Sequence, residues 1–416
     1  MQTAPEPRDA TKHIFATPWQ PVGRGPAGHA RVRRGQEARS VRLDRGGGRA
    51  LAALAAAVAI GSGALTGCGS DQNRRSASAA TVSGPTGTAG CSGRDKLTAE
   101  GSTAQQNAMA VFNQVWGQYC PGKSVSYNPT GSGAGREQFI AGHVDFAGAD
   151  SPLAADQIGP AAARCEGNPA WDLPLVFGPV ALVYNLAGIP ALVVSSDALA
   201  KIFSGRITAW NDPILAALNP GVVLPDTKIA PIYRTDSSGT TDNMQKYLTA
   251  AAPQSWTRGV GTEFQGGVGE GAVKSAGVVQ AVRATPGAIG YVEKGFADQG
   301  GMPYARIATN KGVAVPLTNE TAGNAVKAAN FVADGNDLVL DLNSMYRSQE
   351  PSVYPLVLAT YEIVCSKGAD PDTSGAIKSF LTVAAGSGQT DLPSAGYIPL
   401  PDKVKERLVA AINALQ

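Results

Sequence analysis

L-T-A-E-G-S-T-A-Q-Q-N-A-M-A-V-F-N-Q-V-W-G-Q-Y, residues 97–119, passes from a short strand-like run through a turn of Gly and hydroxyl residues into an amphipathic stretch. Ala108, Val111, Phe112, Val115 and Tyr119 recur at helical spacing, so a helix is expected over about 103–118. Strand, tight polar turn and helix form the repeating unit of an α/β fold, in which a sheet is flanked by helices. The same grammar continues downstream. Strands are expected over 124–128, 144–148, 175–185, 229–233, 288–292 and 356–365, with a further helix near 197–203. Neither an internal repeat nor a transmembrane span after the signal region is visible, which excludes a solenoid and a channel.

The chain of 416 residues, 43% hydrophobic and 16% charged, can bury two separate cores. Pro190 after a strong strand, and a return crossing after Tyr291, suggest a lobe over 191–301 inserted into an outer lobe of 91–190 plus 302–416. A formal net charge of +2 gives no general drive toward nucleic acid or acidic membranes, so any anion needs a local site.

Residues 1–49 are rich in Arg, Gly and Pro, lack a periodic apolar face and read as unstructured. No Met lies between Met1 and Met109, so a start at an alternative codon such as that of Val41 would make this stretch a misread extension. Arg42, Arg45 and Arg49 then flank an apolar block that ends in L-T-G-C at 65–68. Basic flank, short apolar run and small residues before a Cys are the parts of a lipoprotein signal over 50–68, with Cys68 as the lipidated residue. The Ser, Thr, Gly and Ala of 69–90 suit a flexible tether, which places the folded part on the extracytoplasmic face of the cell membrane. Cys91, Cys120, Cys165 and Cys365 remain, an even number in an exported chain, so two disulfides are expected. Three pairings are open, with Cys120–Cys165 and Cys91–Cys365 the favoured pair. Their spacing matches no zinc motif, and no metal is expected.

Three turns carry the chemistry: G-S-T at 101–103, G-S-G-A-G at 131–135 and S-S-G-T-T at 237–241. Each points backbone N–H groups and hydroxyls at one spot in front of a helix, a ready seat for an anion. Singly, each Ser or Thr there is first of all a helix cap. Together, and with Arg234 just before the third, they point to one shared oxyanion site, because guanidinium supplies a planar fork of donors. As a lone residue Arg234 would be a strand-end charge or a partner for Asp236. Asp150, in V-D-F-A-G-A-D-S-P at 144–152, adds an acceptor where a turn residue would otherwise be the plain reading. Phosphate keeps a proton at working pH and sulfate keeps none, so a buried carboxylate accepts from the first and repels the second.

With these residues quoted, the chain resembles the phosphate-binding proteins of the Pst importer, above all those of actinobacteria, over roughly 95–410. The resemblance rests on L-T-A-E-G-S-T-A, P-T-G-S-G-A-G, V-D-F-A-G-A-D-S-P-L, Y-R-T-D-S-S-G-T-T and P-G-A-I-G-Y-V-E, in that order. It implies a two-lobed periplasmic-binding-protein fold of type II, with the ligand in the cleft and a mixed sheet in each lobe. It also implies phosphate ligands at Thr103, Ala104, Ser132, Asp150, Arg234, Ser238, Gly239 and Thr240, with Asp236 orienting Arg234. The implied partners are inorganic phosphate and an ABC permease with its ATPase, for a monomer without cofactor. The chain departs from the family pattern at Ala104, where many relatives carry Phe, and in reading G-S-G-A-G rather than G-S-S-G-G.

Two other functions compete. Arsenate, also protonated, satisfies the same donor and acceptor set, whereas sulfate and molybdate do not. A phosphatase would need a nucleophile such as Ser102 or Ser238 and a base. Only His13, His29 and His143 exist, the first two before the signal, which leaves no multi-His metal cluster and no base pair.

Overall fold

The computed structural model describes residues 90–416. The extension, the signal with Cys68, and the tether apart from its last residue lie outside the described residues.

Among the described residues thirteen strands are formed: β1 (Lys96–Gly101), β2 (Ser124–Pro129), β3 (Phe146–Ala149), β4 (Ala170–Tyr184), β5 (Val193–Ser195), β6 (Ala230–Arg234), β7 (Glu270–Ala272), β8 (Ala288–Glu293), β9 (Arg306–Ala308), β10 (Ala314–Val315), β11 (Asn330–Phe331), β12 (Leu340–Asp341) and β13 (Val357–Cys365). Eight of them make one sheet in the order β2-β1-β3-β13-β4-β8-β6-β7. The fold is mixed α/β, as the alternation of strand and helix signals requires.

Two parallel blocks make up this sheet. In the first, β1 lies between β2 and β3 and is parallel to both. In the second, β6 lies between β7 and β8 and is parallel to both. Antiparallel β13 and β4 join the blocks. β4 is the shared element: Ala170–Pro179 pairs with β13, and only Val180–Tyr184 pairs with β8. Such continuous burial as that of L-P-L-V-F-G-P-V-A-L-V-Y suits a strand covered on both faces.

The stagger along β4 has a geometric consequence. β3 and β8 run in opposite directions, yet the register places Ala149 opposite Tyr361 and so level with Pro174, and Glu293 opposite Val180. The carboxyl ends of both parallel blocks therefore face each other over the middle of β4. Crevices at the carboxyl ends of parallel strands are where α/β sheets bind ligands.

The helix expected over 103–118 forms over Gln106–Tyr119, buries Ala108, Met109, Phe112, Val115 and Trp116, and leaves residues 102–105 as a turn. Phe380 of the helix Pro371–Ala385 packs edge-on against Phe112 and Trp116 and stacks on Phe146. Strand β4 begins at Ala170, five residues before the apolar run used to locate it, because Asp172 is buried by hydrogen bonds from Leu153 N and its own N–H is bonded to Asp337. The short strands β5 and β9 pair in parallel, with β10 on the far side of β9.

The favoured disulfide pairing is corrected: the bonds are Cys91–Cys120 and Cys165–Cys365. Lys123 explains the first. Its ammonium, just past the helix end at Cys120, donates to the carbonyls of Ser92, Gly93 and Arg94 and folds Cys91 back onto Cys120. Strand register explains the second, since Cys365 pairs with Ala170 and Cys165 closes the helix Ala155–Arg164 just before β4. Hydrogen bonds, not a disulfide, tie the start of the described chain to the helix Pro371–Ala385, from Arg94 N to Asp372 O and from Ser92 Oγ to Gly375 O.

Peptide mapping without reduction is expected to recover 91–120 and 165–365 linkages alone. From the sequence separations of 29 and 200, chain entropy makes the second the more stabilising, at about 5 against about 3.5 kcal/mol. The Cys165→Ser/Cys365→Ser variant should therefore melt lower than Cys91→Ser/Cys120→Ser.

Candidate anion-binding site

The three hydroxyl turns leave the carboxyl ends of β1, β2 and β6, and Asp150 leaves that of β3. All converge. Gly131, with a φ of 117° that a side chain rarely adopts, begins the second motif and caps the helix Ser132–Ile140, of which Ser132 is the first residue. Ser238 caps the helix Gly239–Ala251, its Oγ accepting from Thr241 N at 3.2 Å. The plain capping reading thus holds for Ser238, yet that bond uses a lone pair and leaves its proton free. At the first turn Ala104 N donates to Ser102 Oγ at 3.0 Å, so this N–H is engaged within the turn.

Across the crevice the turns touch. Gly133 N donates to Ser237 O at 3.0 Å, Asn243 Nδ2 donates to Asp150 O at 2.6 Å, and Thr103 Oγ1 lies 2.7 Å from Ser275 Oγ. Gly239 is a close approach: a Cβ there would fall 2.6 Å from Asp150 Cβ and nearer still to Ser132 Oγ, and a Cβ on Gly133 would run into Ser237 Oγ. Thr103, Ala104, Ser132 and Asp150 from one block thus meet Arg234, Ser238, Gly239 and Thr240 from the other, and each of the seven with a side chain is at most 3% exposed.

Asp150 accepts from Ser102 Oγ at 2.6 Å and Thr360 Oγ1 at 2.7 Å on one oxygen, and more loosely from Ser132 Oγ at 3.2 Å on the other. Burial pushes its carboxyl up to about 6, against the hydrogen bonds from Ser102 and Thr360 and the charge of Arg234, while Glu293 adds to the rise. Opposite it, Arg234 donates through Nε to Asp236 Oδ1 at 2.8 Å and through Nη2 to Oδ2. Burial works against the guanidinium charge, but the Asp236 pairing outweighs it and raises the group. The same pairing outweighs burial at Asp236 and holds its carboxyl below the usual range. Arg234 Nη1 keeps only long contacts of 3.4 Å to Thr240 Oγ1 and Ser275 Oγ, so the edge turned to the crevice is weakly occupied.

Four side chains in this site are not legible as site residues from the sequence, although one of them, Glu293, ends the P-G-A-I-G-Y-V-E motif. Thr360 is aimed by an irregularity in the β13 register between Thr360 and Tyr361, a bulge that only strand pairing reveals. Ser275 opens the helix Lys274–Ala284, whose first residue holds a positive φ of 62° while its N–H donates to Asp236 at 2.9 Å. Asn243 lies one helical turn beyond Gly239, and Glu293 ends β8. A further carboxyl, Glu362, sits behind the site, raised to about 8 by burial and facing Gln105 Nε2 at 3.4 Å. A cavity of about 580 Å³, lined in part by Pro152, Lys246 and Tyr346, reaches Asp150 from the side of the β11–β12 hairpin.

These features define a class: an α/β protein with a desolvated nest of hydroxyl, N–H and guanidinium donors, and one proton acceptor, at the carboxyl ends of two opposed strand blocks. A family model described as a PBP superfamily domain matches residues 79–387. The chain is 46% identical over 369 residues to phosphate-binding protein PstS3 of Mycobacterium bovis BCG, covering 88% of this chain and 98% of that one. Phosphate-binding protein PstS 2 of Mycobacterium tuberculosis H37Rv is 45% identical over 371 residues, 88% and 98% of the two chains. Among solved structures, a periplasmic phosphate-binding protein called PfluDING, determined with phosphate, shares the fold at a TM-score of 0.63 and 23% identity, over 76% of this chain and 93% of that one. The chain belongs to the PBP superfamily and, within it, to the PstS family of phosphate-binding proteins.

Gly239→Ala should drive the two blocks apart where Gly239 meets Ser132 and Asp150 and weaken anion binding at least tenfold, a loss of about 1.4 kcal/mol, measurable by calorimetric titration. The raised carboxyls give a second expectation. Asp150 and Glu362 bind protons in the folded state between their ordinary range near 4 and about 6 and 8, where the unfolded chain has released them. The folded state therefore holds more protons than the unfolded one, and stability falls as pH rises through about 4 to 8, by up to about 1.4 kcal/mol per pH unit per group. Thermal melts of ligand-free protein should drop from pH 5 to pH 8, and Glu362→Gln should flatten the upper part of that slope.

Proposed function

We propose that this chain is an extracytoplasmic solute-binding lipoprotein that captures inorganic phosphate and delivers it to an ABC-type importer. Asp150 carries the reading. It is a buried carboxylate with one oxygen firmly held by Ser102 and Thr360 and the other only loosely by Ser132. On capture the loosely held oxygen accepts the P–O–H proton, and Ser132 turns its own proton to another phosphate oxygen. Sulfate brings no such proton and meets the carboxylate as an acceptor and a like charge.

In this reading Thr103, Ser132, Ser238 and Thr240 donate through hydroxyls, Gly239 through its backbone N–H, and Ala104 through a backbone N–H that turns from Ser102 Oγ to the anion. Arg234, held in orientation by Asp236, replaces its long contacts to Thr240 and Ser275 with direct ones to the anion. The ligands come from both strand blocks, so the anion binds fully only when the two are together. Segments 91–190 with 302–416 and 191–301 act as the two lobes, bending about β4, and phosphate shifts their population toward the closed form that a permease recognises. Membership of the PstS family supports phosphate as cargo, Cys68 would carry the membrane anchor, and the protein acts as a monomer without cofactor or metal.

Arsenate, protonated like phosphate, fits the same ledger and is the second ligand to test. Hydrolysis has no support: His143, the one histidine among the described residues, is exposed and bonded to Gln138.

Calorimetric titration of the full chain, stripped of endogenous ligand, with phosphate and then sulfate tests the reading. Wild type should bind phosphate one to one and ignore sulfate. Asp150→Asn should lose phosphate affinity by on the order of 10- to 100-fold and narrow the gap to sulfate, and Arg234→Lys should lose about 100-fold. Absence of heat and of any thermal shift with phosphate would sink the assignment.

A further inference from the structure

The single proton of the Thr240 hydroxyl raises a question of direction. Thr240 Oγ1 lies 2.5 Å from Glu293 Oε1 and also receives the long contact from Arg234 Nη1. If Glu293 is ionised, that proton points at Glu293, and Thr240 offers a lone pair to the crevice. An anion donor is then lost from the site.

Glu293 is 1% exposed, and its other oxygen is buried with no hydrogen-bond partner among the described residues. The charged or titratable groups that face it are Arg234 from β6, Asp150 from the end of β3, and the neutral Tyr397 hydroxyl from the segment before the last helix. Arg234 is already matched by Asp236, so Glu293, Asp150 and an incoming oxyanion would be three negative groups around a neutralised cation. Burying that set is far more costly than protonating one member.

We propose that Glu293 takes up a proton when the anion is captured and, as the neutral acid, donates it to Thr240 Oγ1, which releases the Thr240 proton to the anion. The proton comes from solvent, adds to the carboxylate oxygen, and leaves again with the cargo. No other bond changes. Thr240 then accepts from Glu293 and donates to the anion, in place of the long contact from Arg234 that turns to the anion. Glu293 is a positioning residue here, acting through Thr240. Phosphate release is thereby coupled to loss of a proton, and capture is favoured by acid beyond what the titration of Asp150 and of phosphate itself produces. The inference rests on the phosphate reading.

The test is calorimetric titration of the full chain with phosphate at several pH values from 6 to 9, each in two buffers of different ionisation enthalpy, which counts protons taken up per anion. Wild type and Glu293→Gln share the contributions of phosphate and Asp150. The amide of the variant can donate to Thr240 at every pH. Wild type is expected to take up close to one proton more than Glu293→Gln at the pH of maximum difference, with a roughly tenfold steeper loss of affinity across a pH unit there. Thr240→Val should keep the proton uptake that the charge balance drives but shrink the effect of Glu293→Gln on affinity, whereas Thr240→Ser should retain that effect, so the outcome does not hang on one variant folding. Equal proton uptake by wild type and Glu293→Gln, with phosphate binding intact, would overturn the proposal. So would an undiminished effect of Glu293→Gln on affinity in the Thr240→Val background. If wild type binds no phosphate, the cargo assignment itself falls, and this inference with it.

Discussion

One strand shared by two opposed blocks is the constraint on which the site depends. β4 pairs β13 along its first ten residues and β8 along its last five. Because the blocks run in opposite directions, an unstaggered sheet would send their carboxyl ends to opposite edges. The stagger turns them inward instead. Six chain segments leaving β1, β2, β3, β6, β7 and β8 then converge on one point, among them the N-terminal ends of the helices Ser132–Ile140 and Gly239–Ala251.

That convergence sets the electrostatics. A desolvated crevice with one guanidinium, already paired with Asp236, cannot rest on net charge to hold an oxyanion. In the proposed reading neutral hydroxyl and amide donors carry the load, and selectivity passes to the acceptor side. Asp150 is tuned for this by burial and by two short hydroxyl bonds, which work in opposite directions on its charge. Glu293 enters the same balance from the far block. A site of this kind reads the protons of its ligand as much as its shape.

Much of this was legible along the chain. The periodicity of Ala108 to Tyr119 located a helix, the apolar runs located the long strands, and the hydroxyl turns marked the groups that meet in space. Those signals are local, set by side-chain spacing and by the backbone needs of turns. The pairing of cysteines was not legible, because it depends on Lys123 folding Cys91 back and on Cys365 coming to rest against Ala170. Nor were Thr360, Ser275 and Glu293, which lie in no turn motif and reach the site through a bulge, a strained helix start and a strand end.

The sequence by itself determined the α/β class, the turns, and the chemistry of donors with one proton acceptor, since each is a property of neighbouring residues. Tertiary structure alone decided which turns face each other, which hydroxyl donates to which carboxylate, and which carboxylates share a buried space. Those depend on strand order, register and stagger, and on the free energy of burying charge, neither of which any short stretch of chain encodes.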